Sequence, residues 1–385
     1  MEVKQIYNLV NNITNEVIGE TGIINEDLSN VVDVGDQLFN NMISFDNFTR
    51  QLVDQVGKMV FVNRVYKANV PSVLRDGWEF GAILAKIDSD IPEAVENESW
   101  ELQDGATYEQ DKFTKPNVYS KFWSKKTTFE IERSITEMQV KSAFQSASQL
   151  NSFFSMLQNE IEKSLTVKTS QMIMRVINNM IAETIHSDFP SAPYNTASGI
   201  KAVNLLYLYN TKFPDATLTA NDCLTNPDFL KFASYTMGVY SDRLTVLSNK
   251  FNIGGRNRFT PKDMLHFVVL SDFAKATDSY LNSITYHNEF VKLPKAETIP
   301  YWQAPDDYSF EKISTINVKT SEGNTVTTSG ILGVMFDHDA LGVTNEDRRV
   351  TTHYNAKAEF TNYFYKVDSN YFNDFNENMV VFFVA

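Results

Sequence analysis

The sequence predicts an α+β protein with a projecting hairpin and one long helix, and three observations lead to this prediction. Turn-forming and aromatic residues recur without helical periodicity over 73–127, which is typical of an extended hairpin. A helical hydrophobic pattern then continues from about Gln149 to Ile185, which is long for a helix of a globular domain. Beyond Pro190, short apolar strands alternate with helices, as in a compact α+β body.

The composition excludes several classes of protein. The chain has 385 residues, 43% of them hydrophobic, which is ample for a large core. Its formal net charge of −14 argues against a reader of nucleic acid, because phosphate binding needs clustered Lys and Arg. The single Cys223 excludes a disulfide framework or a zinc site of several thiolates, and favours a core residue. The sequence shows neither a signal peptide nor an apolar run long enough to span a membrane, so we expect synthesis in the cytosol.

The first 62 residues predict short helices. Apolar residues recur at steps of three and four over 3–18, a narrow helical seam that stops at Gly19. A second helical pattern covers Phe45–Val56, where Ser44 or Asp46 could cap the helix. So narrow an apolar stripe would pack either against the chain's own core or against a neighbouring subunit, and both alternatives stay open.

Charge is sharply sorted within the hairpin region. From Ile87 to Asp111 there are nine acids and no basic residue, and from Lys112 to Lys126 there are five lysines and no acid. Two solvated charge runs would be the commoner explanation. Seven aromatic residues stand among these charges, however, so we expect the hairpin to need a partner surface, with a reach of at most about 90 Å. Within the isolated chain we therefore expect few contacts between the hairpin and the body, with aromatic residues such as Trp100, Phe113 and Trp123 left exposed. The acids are Asp88, Asp90, Glu93, Glu96, Glu98, Glu101, Asp104, Glu109 and Asp111, the lysines are Lys112, Lys115, Lys121, Lys125 and Lys126, and the aromatic residues are Trp78, Trp100, Tyr108, Phe113, Tyr119, Phe122 and Trp123.

Two arrangements would relieve the repulsion within each charge run. The two legs could pair across one hairpin, with each cross-strand pair contributing about 0.2–1 kcal/mol. Alternatively, each leg could face an oppositely charged surface on a neighbouring subunit. The excess of acids over lysines favours the second arrangement, in which Arg256, Arg258 and Arg348 are candidate partners supplied by another chain.

The body carries recognisable start and stop signals. Asn226 can cap a helix that Pro227 begins. An apolar C-terminal strand must be tucked into a sheet, because a free one would aggregate. The predicted strands are Thr127–Ile131, Leu265–Leu270 (followed by a helix from Ser271), Gly330–Phe336, one long strand over 350–366, and the final Met379–Val384.

The sequence contains no recognisable catalytic motif. Gly254-Gly255-Arg256-Asn257-Arg258 lacks the Gly-Lys-Ser/Thr ending of a phosphate-binding loop and is expected to be a surface loop. The five histidines form no metal-binding spacing. Asp337-His338-Asp339 follows a predicted strand, where two carboxylates could hold a hard cation, but a strand end and a turn explain these residues without a metal. We therefore expect no catalytic residue, cofactor or metal.

The order of elements and three stretches of sequence resemble one known family. The stretches are LHFVVLSDFAKATDSYL at 265–281, GILGVMFDHDALGV at 330–343 and NYFNDFNENMVVFFVA at 370–385. Over nearly the whole chain, the sequence resembles the major capsid proteins of tailed bacteriophages, which have the Hong Kong 97-like fold. The resemblance implies an N-terminal arm at 1–62, an extended hairpin (E-loop) at 63–127, a P-domain with the long spine helix at 128–192, an A-domain at 193–344, a P-domain return strand at 345–370 and a final A-domain strand at 371–385.

The resemblance implies a structural function. Copies of the chain would form the hexamers and pentamers of an icosahedral head, which encloses double-stranded DNA without reading its sequence. The expected partners are a portal, possible decoration proteins and a separate scaffolding protein, the last because only about 60 residues precede the hairpin. The chain would belong to the virion, be made in the host bacterial cytoplasm and need no membrane or cofactor. An encapsulin-type compartment shell and a cytosolic metal-dependent hydrolase using Asp337, His338 and Asp339 remain the alternatives.

Residues of the hairpin and one basic loop are the candidates for contacts between subunits. Charged side chains would select the correct neighbour, and aromatic ones would bury apolar surface. These candidates are Glu96, Glu98, Glu101, Asp104, Lys112, Lys115, Lys121, Lys125, Lys126, Trp100, Phe113, Trp123, Arg256 and Arg258.

Overall fold

A computed structural model gives the fold of the chain. It describes residues 11, 33, 70–75, 84–89, 94, 103–107, 111, 113, 115–123, 126–136, 138–139, 147–284 and 296–385. The two helices predicted within the first 62 residues lie outside this part, apart from Asn11 and Asp33. The chain divides into two compact units, the first formed by 1–81, 126–175 and 343–370, and the second by 82–125, 176–342 and 371–385.

The described residues form strands and helices in mixed order. The strands are β1 (Leu74–Arg75), β2 (Leu84–Ser89), β3 (Val118–Trp123), β4 (Lys126–Thr136), β5 (Ala202–Asn204), β6 (Leu265–Leu270), β7 (Glu297–Ile299), β8 (Ile316–Lys319), β9 (Thr325–Thr328), β10 (Ile331–Asp337), β11 (Leu341–Asn355), β12 (Phe360–Asn373) and β13 (Met379–Phe383). The helices are α1 (Ala147–Asp188), α2 (Leu205–Lys212), α3 (Pro227–Leu244), α4 (Ser271–Ile284) and α5 (Phe310–Ile313). No helix in this described part is long and apolar enough to cross a membrane.

Helix α1 is continuous over 42 residues, which confirms the predicted single long helix. At about 1.5 Å per residue it is about 63 Å long. Its second half is apolar along one face, where Ile173, Val176 and Ile177 are fully buried. The stretch Lys163–Lys168, which holds weaker helix formers, does not interrupt it. Without an internal proline or glycine, the backbone hydrogen bonds of the helix continue to its end.

The sheet of the first unit has the strand order β1-β11-β12-β4. Strands β12 and β4 pair antiparallel from Phe360 opposite Thr136 to Asn370 opposite Lys126. The prediction of one strand over 350–366 is wrong, because a turn at 356–359 separates β11 from β12. The side chain of Asn355 accepts hydrogen bonds from two backbone N–H groups of this turn, at 3.1 and 3.2 Å, and so closes it without a glycine or proline.

The sheet of the second unit has the strand order β5-β13-β10-β6-β7. The final strand β13 pairs antiparallel with β10 and parallel with β5, and all five of its residues are buried. This confirms that the apolar C-terminus is tucked into a sheet. Gly330, just before β10, has φ +79° and lies against the backbone of Val384, where a side chain would not fit. Glycine is therefore required at this crossing.

Helices of the second unit cover this sheet. Helix α3 begins as predicted: Asn226 accepts hydrogen bonds from the N–H groups of Asp228 and Phe229, both at 3.0 Å. Tyr240 of α3 packs edge-on against Phe382 of β13, with ring centroids 5.5 Å apart. The predicted strands at Leu265–Leu270 and Gly330–Phe336 are confirmed as β6 and β10, which pair with each other.

Candidate functional site

Strands β2 and β3 pair antiparallel and form the base of a hairpin, as the sequence predicts. Residues directly opposite each other in such a pair point to the same face of the ribbon, and successive residues alternate between faces. The ribbon therefore has two different faces. The inner face carries Lys86 opposite Lys121 and Asp88 opposite Tyr119, together with Trp123, and the outer face carries Ile87 opposite Ser120 and Ser89 opposite Val118, together with Phe122.

Charged side chains of the inner face contact the body of the same unit. The ammonium group of Lys86 lies 3.1 Å from Asp374 and also pairs with Glu377. Lys121, directly opposite Lys86, lies 3.0 Å from the same Asp374. We call the six side chains involved the charge cluster: the hairpin contributes Lys86, Asp88 and Lys121, and the body contributes Arg258, Asp374 and Glu377. Within it, Arg258 pairs with Asp88 and with Glu377, the latter at 3.3 Å.

Aromatic rings of the inner face also contact the body. The ring of Trp123 lies 5.2 Å from that of Phe372, measured between centroids. The guanidinium of Arg256 lies 3.3 Å from the ring centroid of Tyr119, in the position of a cation–π contact. The charge cluster is therefore bordered by ring contacts on the same face of the ribbon.

Burial and charge act in opposite directions within the charge cluster. The side chain of Asp374 is only 2% exposed, and this burial alone would raise its pKa. The attraction of Lys86, together with a hydrogen bond and attraction from Lys121, outweighs burial and lowers the pKa of Asp374 below its usual value. Burial alone would lower the pKa of Lys86, but its hydrogen bond and attraction to Glu377, with a further contribution from Asp374, raise it. Both groups are therefore charged at neutral pH.

The outer face is apolar and exposed to solvent. Ile87 is 73% exposed, Phe122 62% and Val118 58%. Phe113, further along the hairpin, is 86% exposed, which confirms the expectation for this residue. Clustered apolar side chains of this size on a surface indicate a binding site for another protein.

The structure divides the predicted contact residues into three groups. Asp104, Lys115 and Phe113 are exposed. Lys121 and Trp123 of the hairpin contact the body of their own chain, and Arg256 and Arg258 of the body contact its hairpin, so the expectation of few such contacts is wrong at the base of the hairpin. The physical reason is that Asp374 and Glu377 supply the opposite charges within the chain. The third group cannot be placed by its side chains. Lys126 and Arg348 lie in strands, but their side chains are not described. The others lie outside the described residues: Glu96, Glu98, Trp100, Glu101, Lys112 and Lys125.

The six described pairs of the hairpin do not join acids to lysines across the ribbon. Lys86 lies opposite Lys121, and Asp88 lies opposite Tyr119. Asp374 and Glu377, which lie in a stretch quoted above only for its resemblance, were missed as charge partners. In the sequence, these residues appear only as two acids just before a predicted buried strand. That pattern is too common to predict a contact with Lys121, which is 253 residues away from Asp374.

Asp337 is the last residue of β10, and His338 and Asp339 lie in the turn that leads to β11. The buried carboxylate of Asp337 accepts a hydrogen bond from the hydroxyl of Thr260 at 2.7 Å and one from the N–H of Asp339 at 2.8 Å. A ring nitrogen of His338 lies 2.9 Å from one of His266. Among the side chains that the structure describes, no three or more His, Cys, Asp or Glu gather as metal ligands would. Asp337 is thus bonded locally, as expected of a turn.

The lone cysteine is part of the core. Cys223 is buried, and burial raises the pKa of its thiol to about 12. The thiol remains protonated and unreactive at neutral pH. This confirms the predicted role of Cys223 as a small core residue.

The long helix, the hairpin and the two sheets together define the class of protein. The capsid structure of Staphylococcus phage Andhra contains a chain with this fold at a TM-score of 0.52 and 9% identity, covering 84% of this chain and 86% of the other. A chain in the structure of the head fibre and inner core protein gp22 of native bacteriophage P68 matches at a TM-score of 0.51, with the same identity and coverage. The fold is that of tailed-phage capsid proteins, the Hong Kong 97-like fold.

The sequence identifies the family within this class. The model of the Phi29-like phage major capsid protein family matches residues 10–383. The chain belongs to this family, and it is a major capsid protein of the phage head shell. This match identifies the chain as a protein of a phage head and not of an encapsulin-type compartment. No curated protein matches the chain.

Proposed function

We propose that the outer face of the hairpin binds a neighbouring copy of this chain and so joins subunits in the head shell. One observation carries the proposal: Ile87, Val118 and Phe122 form an exposed apolar face, while the opposite face of the same ribbon contacts its own subunit. Full burial of each such side chain contributes about 1.5–3 kcal/mol. These three side chains are between 58% and 73% exposed, so about 3–6 kcal/mol per hairpin is the expected contribution, repeated at every lattice position.

Charge would add selectivity to this apolar contact. The exposed Asp104, Asp111 and Lys115 lie beyond the paired base of the hairpin, where no described residue of the chain neutralises them by an ion pair. We place them, with Glu96, Glu98, Glu101, Lys112 and Lys125, on the legs that face oppositely charged surfaces of neighbours. Like charges brought together by a wrong contact would then penalise misassembly.

The remaining features of the proposal concern the whole particle. The subunits form hexamers and pentamers of an icosahedral shell, and the chain performs no enzymatic reaction. A net charge of −14 suits a wall that encloses double-stranded DNA without holding it. A portal, a scaffolding protein and decoration proteins are the proposed partners, with synthesis in the host cytoplasm. In this proposal, 128–192 and 345–370 form the P-domain, and 193–344 and 371–385 the A-domain.

The test replaces the apolar outer face while leaving the inner face intact. A variant with Ile87→Ser, Val118→Thr and Phe122→Ser should fold, as measured by circular dichroism, but should not form shells in electron micrographs. Tyr308→Ser removes an aromatic residue outside the hairpin that is 81% exposed, and serves as the control. Normal shells from the triple variant would refute the proposed role of the outer face.

A further inference from the structure

We propose that the charge cluster is an electrostatic latch, which fixes the hairpin on its own subunit and so holds the outer face in position for a neighbour. Its three cations and three carboxylates are Lys86, Lys121 and Arg258 with Asp88, Asp374 and Glu377. The proposal rests on the proposed function of the outer face, because the latch positions that surface. It assigns a role to residues whose ion pairs lie within their own subunit.

The two sides of the latch have complementary charges. The hairpin supplies two cations and one acid, whereas the body supplies one cation and two acids, so the contact is neutral as a whole. Each charge of the hairpin meets an opposite charge of the body: Lys86 and Lys121 meet Asp374, and Asp88 meets Arg258. In a random contact between two charged surfaces, some charges would face charges of the same sign.

The hairpin alone places two like charges together. Lys86 and Lys121 lie directly opposite each other on one face of an antiparallel pair, an arrangement that destabilises an isolated ribbon. Asp374 lies between their ammonium groups, 3.1 Å from one and 3.0 Å from the other. Contact with the body therefore removes a repulsion that the free hairpin would retain, and this favours the docked position.

The body side of the latch is held by hydrogen bonds that do not involve the hairpin. The N–H of Asp374 donates to the carbonyl of Ala340 at 2.6 Å, and its carboxylate accepts from the N–H of Asn376 at 3.1 Å. Arg258 is held by a pair of backbone hydrogen bonds with Ser248, at 2.9 and 3.0 Å. The body thus presents its charges from a rigid backbone, and the docked hairpin matches that pattern.

The test measures the position of the hairpin directly. In unassembled subunits carrying Cys223→Ser, spin labels on Ser120→Cys in the outer face and Asn249→Cys in the body report one distance across the latch. The wild-type latch should give a single narrow distance distribution. Lys86→Gln with Lys121→Gln should broaden this distribution and slow shell assembly by about tenfold or more, without changing the circular dichroism spectrum.

Two further variants control for charge and for the amino-acid change. Lys86→Arg with Lys121→Arg keeps both charges and should restore the narrow distribution. Lys231→Gln with Lys262→Gln removes two exposed lysines that pair with acids elsewhere in the same unit, and should leave both the distance and assembly unchanged. Raising the salt concentration should broaden the wild-type distribution more than that of the double Gln variant, which retains only the pair of Asp88 with Arg258 across the contact.

The results separate the latch from the role of the outer face. A narrow distribution in the double Gln variant would overturn the latch, whatever the rate of assembly. A broadened distribution with normal assembly would overturn the claim that the latch positions the outer face. Replacement of Ile87, Val118 and Phe122 should block assembly while the distribution stays narrow, so failure of the proposed function alone is recognisable.

Discussion

Replacing Asp337 by alanine should destabilise the second unit by about 3 kcal/mol, because this carboxylate is a structural hydrogen-bond acceptor. It accepts from the buried hydroxyl of Thr260 and from the backbone N–H of Asp339. A hydrogen bond to a charged group contributes about 1.5–3 kcal/mol, and a buried donor left without an acceptor adds to the loss. Asp337→Asn retains one acceptor oxygen and should cost about half as much.

The assay is urea denaturation of the unassembled chain, followed by circular dichroism, with hydrogen exchange at the amides of β10 as the local measure. Asp242→Ala is the matched control, because this exposed acid makes only a surface ion pair with Lys262 and its loss should cost at most about 1 kcal/mol. A double-mutant cycle with Thr260→Val should give a coupling of about 1–2 kcal/mol. A loss below about 0.5 kcal/mol in Asp337→Ala, together with stabilisation of the wild type by a divalent cation, would refute this reasoning and restore the metal site.

Three further predictions concern a helix cap, the cysteine and pH. Asn226→Ala removes the acceptor for two N–H groups and should destabilise α3 by about 1 kcal/mol, measured as faster hydrogen exchange in its first turn. Cys223, whose pKa is about 12, should react with a thiol reagent at pH 8 about a thousandfold more slowly in the folded chain than in urea. Because the pKa of Asp374 is lowered, the stability that its ion pairs contribute is complete above about pH 3.8 and is lost in stronger acid. Because the pKa of Lys86 is raised, the stability that its ion pairs contribute is complete below about pH 10.5 and is lost in stronger base. The spin-label distance should therefore stay constant from about pH 5 to pH 9, and broadening near pH 7 would contradict the assignment.

Local sequence patterns predict the long helix and the central strands well, because the signals for these elements are themselves local. Helix α1 follows from hydrophobic spacing without proline or glycine, and α3 from the Asn226-Pro227 start. The turn at 356–359 was missed because it consists of Ala, Lys, Ala and Glu, which are not turn formers. Only Asn355 indicates it, and a single asparagine is common within strands of mixed polarity.

The candidate site could be predicted only in part. The hairpin was predicted from its composition, but the usual rule that the apolar face of a strand points inward fails here. In β2, the charged Lys86 and Asp88 face the body and Ile87 faces solvent. The reason is that the body presents acids opposite these side chains. Lys121 and its partner Asp374 are 253 residues apart in the sequence. No local periodicity contains such a contact, and the apolar side chains that the proposed function places against a neighbour are exposed in the single chain.

A last prediction tests whether the backbone of the body, rather than charge alone, positions the hairpin. A Cβ atom added at Gly254 would lie 2.0 Å from the side-chain oxygen of Asn376, which must then move. The N–H of Asn376 donates to the carboxylate of Asp374, so this movement should misplace the acid that both lysines share. Gly254→Ala should therefore broaden the spin-label distance although every charge is retained. Gly255→Ala is the matched control, because it introduces backbone strain at φ +67° of about 1–2 kcal/mol in the same loop but meets no neighbouring atom. An equal effect of the two substitutions would mean that loop strain, and not the position of Asp374, controls the hairpin.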